Sequence, residues 1–387
     1  MKIVWFCIPA HGHINPTLAL VKELIESGHT IYYFSFDKFK EKIEKTGATY
    51  ISCDKYDFEM EDKDNADRVG KDIAFSTELI VNTTLALDEM IEKKIKEIKP
   101  DLIVSDSVAY WGKLTAQKYN IPYVSSTTTF AFNKSSSAYL NHGIWDLFKM
   151  LFAMPKVNKQ LKRLQEKGYP AKGILDIVQN DNDTNTIVYT SKYYQPCSET
   201  FSNKYCFIGP SIRPIETKYN KTSKVTIYIS MGTVVKNEQI YQYCIEALSN
   251  TDYQVIISVG GYNVKFNNLP NNIKVYDFVD QIAVLCISDI FITHCGMNSA
   301  SEGLYFEVPL ILCPQTNEQM AVAKRTEELG AGIWLKKINN ANTILNSVNE
   351  ILNNPNYKNA ATKISNSFKE CKGVKAARQF IEEIKIH

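Results

Sequence analysis

An apolar run from Asp289 to Thr293 stops at His294-Cys295-Gly296, and a helical pattern opens near Asn298 or Ser299. A buried strand, a sharp turn permitted by Gly296 and a helix start confine this stretch to α/β architecture. A second apolar run, Pro309 to Cys313, ends in Pro314-Gln315, with Glu318-Gln319 close behind. Polar groups therefore gather where two strands end. Free N–H groups and the dipole at such a helix start favour an anion. His294, Asn298 and Ser299 add side-chain donors, and the Glu302 carboxylate, one turn on, could accept from a sugar hydroxyl. Taken singly, these residues have plainer accounts: Ser299 and Glu302 also fit a capping box, and His294 fits a packed histidine.

The same alternation runs from the start of the chain. Ile3 to Pro9 reads as a strand, Ala10 to His13 as a loop, and Asn15-Pro16 as a helix cap and first turn. His29 to Ser35 is a second strand. A helix over Thr83–Lys99, a strand over Leu102–Val104 closing at Ser105-Asp106, a helix over Tyr110–Tyr119 and a strand over Ile121–Ser125 continue a doubly wound parallel unit. Thr127 to Lys167 is aromatic and Met-rich, which fits a packed helix pair, the wall of an acceptor pocket or a membrane-touching patch. A polar segment, Arg213 to Ser223, reads as a linker. Beyond it the alternation restarts with a strand at Val225–Ser230, the loop Met231-Gly232-Thr233, a helix over Gln239–Leu248 and strands at Gln254–Val259 and Ile273–Tyr276. A chain of 387 residues exceeds one ordinary core, so two domains are expected, at 1–212 and 224–373, joined by 213–223.

A net charge of +2 without a long basic block argues against a nucleic-acid partner. No apolar run reaches transmembrane length, and Met1-Lys2 leads straight into a strand rather than a signal peptide, so no stable membrane insertion is expected. Nine cysteines without C-x-x-C spacing fit reduced thiols in a cytosol and give no metal site.

Ligands of open parallel sheets sit beyond the carboxyl ends of the strands. His13 follows the first strand and precedes a helix N-terminus, whose dipole disfavours imidazolium, so a neutral proton-accepting histidine is expected. Asp106 ends another strand, where it fits either a partner for the second ring nitrogen of His13 or a cap on the next helix.

The run Phe291–Gly332 closely resembles the donor-binding signature of family 1 UDP-glycosyltransferases, above all bacterial enzymes that glycosylate natural products. His294, Gly296, Asn298, Ser299, Glu302, Pro314, Gln315, Glu318 and Gln319 match it in unbroken register. G-H-I-N-P-T-L, from Gly12, resembles the family's N-terminal motif. The resemblance implies a GT-B fold: two Rossmann-like, doubly wound parallel-sheet domains facing across a cleft, with a final helix at 374–387 crossing back to the first. It implies His13 as catalytic base and Asp106 as its partner. His294, Gly296, Asn298 and Ser299, with the loop Gly232-Thr233, would meet the donor diphosphate, and Glu302 the ribose. Phe278, Val279 and Gln281 would frame the uracil, and Glu318 and Gln319 would meet sugar hydroxyls.

The implied reaction is inverting transfer of a hexose, glucose foremost, from a UDP-sugar to a hydroxyl of a small lipophilic acceptor such as a macrolide or flavonoid. It needs no metal and no cofactor. Asp280 stands where the family usually has Pro, Phe278 where it often has Trp, Val322 where many members have Asn, and Glu318 where Asp is more frequent; these departures bear on donor choice. A nucleotide-sugar epimerase and a non-catalytic UDP-sugar-binding protein of the same fold are the alternatives. Asp181-Asn182-Asp183 spells the D-x-D of metal-dependent transferases, but turn chemistry accounts for it in an Asn-rich loop. The A-H-G-H after the first strand is not a dinucleotide fingerprint.

Overall fold

A computed structural model describes residues 1–54, 72–139, 144–180, 182–232, 238–261, 266 and 268–385. The chain divides into two compact units. Unit 1 comprises Met1–Tyr189, Cys197–Ile208 and Lys372–His387, and unit 2 comprises Thr190–Pro196 and Gly209–Cys371. The polar segment 213–223 belongs to unit 2 rather than standing apart as a linker. Segment 190–196 joins unit 2 as well, because the buried Tyr194 hydroxyl bonds Thr326 Oγ1 at 2.6 Å and Arg325 donates to the carbonyls of Tyr193 and Tyr194.

Unit 1 is a seven-stranded parallel sheet: β1 (Lys2–Phe6), β2 (Thr30–Ser35), β3 (Thr49–Ser52), β4 (Leu102–Asp106), β5 (Tyr123–Thr127), β6 (Thr186–Val188) and β7 (Tyr205–Phe207), in the order β3-β2-β1-β4-β5-β6-β7. The central strands are buried on both faces, which their continuous apolar runs require. Helices α1 (His11–Glu26), α2 (Ile73–Ile98), α3 (Tyr110–Tyr119) and α4 (Ile144–Glu166) flank it. α1 begins four residues before the expected Asn15, so His11 and His13 lie in its first turn and not in a loop. First-turn N–H groups need no intrahelical acceptor, so His-Gly-His is tolerated there. Pro16 sits inside the helix and forfeits one backbone bond; burial of Ile14, Pro16, Leu20, Val21 and Leu24 against the sheet offsets that loss.

The α2 helix starts ten residues before the expected Thr83, where Asp72 caps it by accepting from Phe75 N–H at 3.1 Å. From the aromatic stretch, Met154, Val157, Leu161 and Leu164 pack with Val81 of α2, whereas Phe152 is 84% exposed. The side chains of Trp145, Phe148 and Met150 lie outside the described residues.

Unit 2 is a six-stranded parallel sheet: β8 (Thr226–Ser230), β9 (Gln254–Ser258), β10 (Ile273–Tyr276), β11 (Ile290–Thr293), β12 (Leu310–Leu312) and β13 (Gly332–Trp334), ordered β10-β9-β8-β11-β12-β13. Helices α5 (Glu238–Leu248), α6 (Gln281–Leu285), α7 (Met297–Tyr305), α8 (Asn317–Glu328), α9 (Ala341–Asn353) and α10 (Pro355–Lys369) cover it. Close packing of α7 on the sheet requires Gly303: a Cβ there would come 2.9 Å from Leu310 and 3.0 Å from Phe291. The last helix, α11 (Gly373–Glu382), belongs to unit 1, where Ala377 and Ile381 are fully buried against α1 and Arg378 pairs with Glu23. Among the described residues no helix is long and apolar enough to cross a membrane.

Candidate functional site

Each sheet reverses its strand order once, between β1 and β4 in unit 1 and between β8 and β11 in unit 2. Chains leaving the two strands at such a point turn to opposite faces and leave a crevice at their carboxyl ends. His13 and Asp106 follow β1 and β4, and Gly232 and His294 to Ser299 follow β8 and β11, so these candidates fall at the two crevices, whereas Phe278 to Gln281 follow β10 and Glu318 and Gln319 follow β12.

In unit 1, Asp106 is the last residue of β4 and is 1% exposed. Its Oδ2 lies 2.7 Å from Nδ1 of His13, whose side chain is 20% exposed. Its Oδ1 accepts from Val108 N–H at 3.0 Å. α3 starts at Tyr110 with Ala109 as N-cap and no side-chain cap bond, so Asp106 is a partner of His13 and not a helix cap. A histidine held by a buried carboxylate on one nitrogen can take a proton on the other. Sequence reasoning missed Thr128, whose Oγ1 lies 3.2 Å from the same Nδ1. The polar Thr127-Thr128-Thr129 run at the end of β5 was its only signal. Of Asp181-Asn182-Asp183, Asp181 lies outside the described residues, while Asn182 donates to the Thr200 carbonyl at 3.1 Å in a turn.

In unit 2, the turn after β11 carries His294 in the crevice. The residue in the left-handed region is Cys295, at φ 67°, and not Gly296, at φ −58°. Gly296 is required for another reason. A Cβ there would come 2.7 Å from His294 Nε2, and one on Gly232, from the loop after β8, would come 2.6 Å from it. Two glycines thus clear the edge of one imidazole. Burial pushes its pKa down to about 4, against a smaller opposing pull from the Ser230 backbone, so the ring is neutral at pH 7. Thr233 lies outside the described residues.

α7 starts at Met297 with Gly296 as N-cap, no side-chain cap bond and no acidic residue in its first turn. The plainer alternative, a Ser299–Glu302 capping box, is therefore absent, and the first-turn N–H groups point away from intrahelical acceptors. Ser299 and Glu302 serve a third residue instead. Gln281 Nε2 donates to Ser299 Oγ at 3.3 Å and Glu302 Oε2 at 2.5 Å, while Tyr228 donates to its Oε1 at 3.1 Å. Burial raises the Glu302 carboxyl pKa; the Gln281 bond and the Arg213 charge oppose it. Asn298 sits in the same first turn, half-buried. Phe278 is 69% exposed with its ring over Gly261, where a Cβ would come 2.7 Å from the ring, and Val279 follows it half-buried.

A capping arrangement does occur, at α8. Thr316 accepts from Gln319 N–H at 3.4 Å, and Gln319 Oε1 accepts from Gln315 N–H at 2.8 Å. Gln319 therefore serves the helix end with its oxygen and leaves its amide NH2 group for other partners, while Glu318 is exposed. Among the described residues no cluster of His, Cys, Asp or Glu has the make-up of a metal site.

Because the unfolded chain protonates His294 near 6.5 and the folded one near 4, its share of stability is full above about pH 6.5. That share is lost as pH falls toward 4. His294→Gln should flatten the fall of melting temperature across this window by one proton's worth relative to the parent, a free-energy change of at most about 3 kcal/mol. Parallel melting curves for the two proteins would contradict the assignment.

Residues 242–372 match the family described as the erythromycin biosynthesis protein CIII-like C-terminal domain. The chain is 33% identical to the uncharacterized UDP-glucosyltransferase YdhE of Bacillus subtilis, over 97% of this chain and 96% of that protein. It is 32% identical to the NDP-glycosyltransferase YjiC of the same species, over 85% and 83%. The fold superimposes on the crystal structure of the glycotransferase of kitacinnamycin with a TM-score of 0.85 at 22% identity, covering 98% of both chains. Two parallel-sheet units of this kind define the GT-B architecture. The chain belongs to the family 1 glycosyltransferases of the natural-product type, and it is an enzyme of that class.

Proposed function

We propose that the enzyme transfers a hexose, glucose foremost, from a UDP-sugar to a hydroxyl of a small lipophilic natural product, with inversion at the anomeric carbon. The bond between His13 Nδ1 and the buried Asp106 carboxylate carries this reading. A carboxylate on Nδ1 fixes the tautomer with the lone pair on Nε2, where it can take the acceptor's proton as the hydroxyl attacks. The C–O bond to the departing UDP breaks as the new one forms, so no sugar–enzyme intermediate is needed. Asp106 holds the imidazolium that results.

On the donor side, we assign the diphosphate to the N-terminal end of α7, with Asn298, Ser299 and the neutral His294 as donors and Gly232 and Gly296 giving close approach. Glu302 and Gln281 take the nucleoside, with Phe278 and Val279 beside the base. Glu318 and Gln319, at the start of α8, take the sugar. Backbone N–H groups carry the phosphate charge, so we propose that no metal is needed. The relatives named for UDP-glucose and the CIII-like match support a UDP-sugar donor and a natural-product acceptor. The location we propose is cytosolic.

UDP release should require both a UDP-sugar and an acceptor, and should persist in EDTA. Four donors (UDP-glucose, UDP-galactose, UDP-N-acetylglucosamine and UDP-glucuronate), each against phenols and macrolide alcohols, test donor and acceptor together. UDP released equally fast without an acceptor, or a donor converted to its epimer with no UDP released, would overturn the transfer reaction.

A further inference from the structure

Asp280 is the N-cap residue of α6, and the Ala283 N–H in the first turn of that helix is one of the groups that hold its carboxylate charged. The carboxylate also turns to the irregular segment that precedes β8. Its Oδ2 accepts from the backbone N–H of Glu216 at 3.0 Å, that of Thr217 at 3.0 Å and the Thr217 hydroxyl at 3.1 Å. Arg213 Nη2 lies 3.5 Å from Oδ1, and the carboxylate is 6% exposed. Burial alone would raise its pKa, but the N–H groups of Glu216, Thr217 and Ala283 and the Thr217 hydroxyl together outweigh burial and hold it below the usual range. A charge this covered, with this many donors, is a specific tie and not a surface contact.

The residue after Asp280 is Gln281, whose amide joins Ser299 to Glu302. Arg213, at the other end of the tie, lies close enough for its charge to lower the Glu302 carboxyl pKa. A continuous set of bonds thus runs from the segment 213–217 through Asp280 to the three side chains assigned to the nucleotide. We propose that Asp280 is a positioning residue: it latches the segment Arg213–Thr217 to the start of α6 and thereby sets Gln281, Ser299 and Glu302 for the nucleoside diphosphate. This rests on the assignment of those three residues to the donor. The coupling is reciprocal: if the latch strengthens UDP binding, UDP must strengthen the latch by the same factor.

Calorimetric titration of UDP and limited trypsin digestion test both directions. Lys218 is exposed just past the latch and offers a cleavable bond, whereas Arg213 is followed by Pro214. Asp280→Ala should weaken UDP roughly tenfold and Asp280→Asn, which keeps one acceptor oxygen for the two N–H groups, roughly threefold. UDP should slow cleavage after Lys218 in the parent and have no such effect in Asp280→Ala. The acceptor KM should stay unchanged, which separates positioning of the donor from general destabilisation.

UDP affinity in Asp280→Ala within about twofold of the parent, or cleavage at Lys218 indifferent to UDP in the parent, would overturn the latch. Gln281→Ala and Ser299→Ala run alongside. If they weaken UDP while Asp280→Ala does not, the latch alone fails. If neither weakens UDP, the donor assignment fails and the latch with it. Should Asp280→Ala not fold, Asp280→Asn and Thr217→Val, which removes only the hydroxyl bond, carry the same comparison.

Discussion

Replacing His13 should cut transfer to an aliphatic alcohol by about a hundredfold to ten-thousandfold, the usual worth of a general base, and leave UDP binding at its parental value. The substitution must be chosen with Asp106 in view. That carboxylate is fully buried and His13 is its side-chain partner at 2.7 Å. Alanine would leave it short of a donor, a loss worth about 1–3 kcal/mol of stability. His13→Asn is the cleaner variant, since its amide N–H stands close to where Nδ1 stands and can still donate to Asp106. It cannot take a proton. His13→Asn should therefore melt near the parent and be as inactive as His13→Ala. Asp106→Asn should also lose activity, because the amide NH2 can donate to Nδ1 and favour the wrong tautomer. A strongly acidic phenol ionises unaided and should retain much of its rate in every variant. Near-parental turnover of an aliphatic alcohol by His13→Asn would remove the histidine from the chemistry.

Those two residues were legible in the sequence because Asp106 ends an apolar run and His13 follows one within a few residues, at the start of a helix, and the carboxyl ends of parallel strands converge on the strand-order reversal. The pairing itself was not legible. It depends on β1 and β4 being neighbours, with Phe6 opposite Ser105, which is a fact of register between segments almost a hundred residues apart. Thr128 escaped for the same reason, since only the pairing of β4 with β5 brings it beside His13.

Short strands were the other losses. β3, β6 and β13 have three or four residues, and β13 begins with glycine, so no periodicity could build up in them. Gly332 is nevertheless fixed by packing, since a Cβ there would stand 2.4 Å from the Leu310 carbonyl oxygen. The Ser299–Glu302 spacing suggested a capping box but belongs to residues that meet through Gln281, eighteen and twenty-one positions away. Local spacing could not distinguish the two, because a cap and a ligand site use the same side-chain oxygens.

The donor residues should separate into two kinds of failure. Ser299 and His294 sit at the N-terminal end of α7, and Glu318 and Gln319 open α8. Ser299 Oγ already accepts from Gln281, so its hydroxyl hydrogen is left to donate to phosphate. His294, neutral at pH 7 with its pKa near 4, acts through an N–H and not as a cation. Ser299→Ala or His294→Ala therefore removes a hydrogen bond to a charged acceptor, a class worth about 1.5–3 kcal/mol, and UDP should weaken by roughly tenfold to a hundredfold along with UDP-sugar. The His294 term should be flat between pH 6 and 8, since no proton is exchanged there.

Glu318 and Gln319 differ from that pair and from each other. Glu318 is exposed and owns no part of the helix cap, so Glu318→Ala should leave UDP affinity and melting temperature unchanged while lowering transfer and reordering the UDP-sugars. Gln319→Ala should do the same to the donors, but it also breaks the bond to Gln315 N–H and should cost about 0.5–2 kcal/mol of stability. UDP titrated by calorimetry into each folded variant, beside a thermal melt, separates all four. UDP bound with parental affinity by both Ser299→Ala and His294→Ala would put the diphosphate elsewhere. Weakened UDP in Glu318→Ala would move the sugar away from α8.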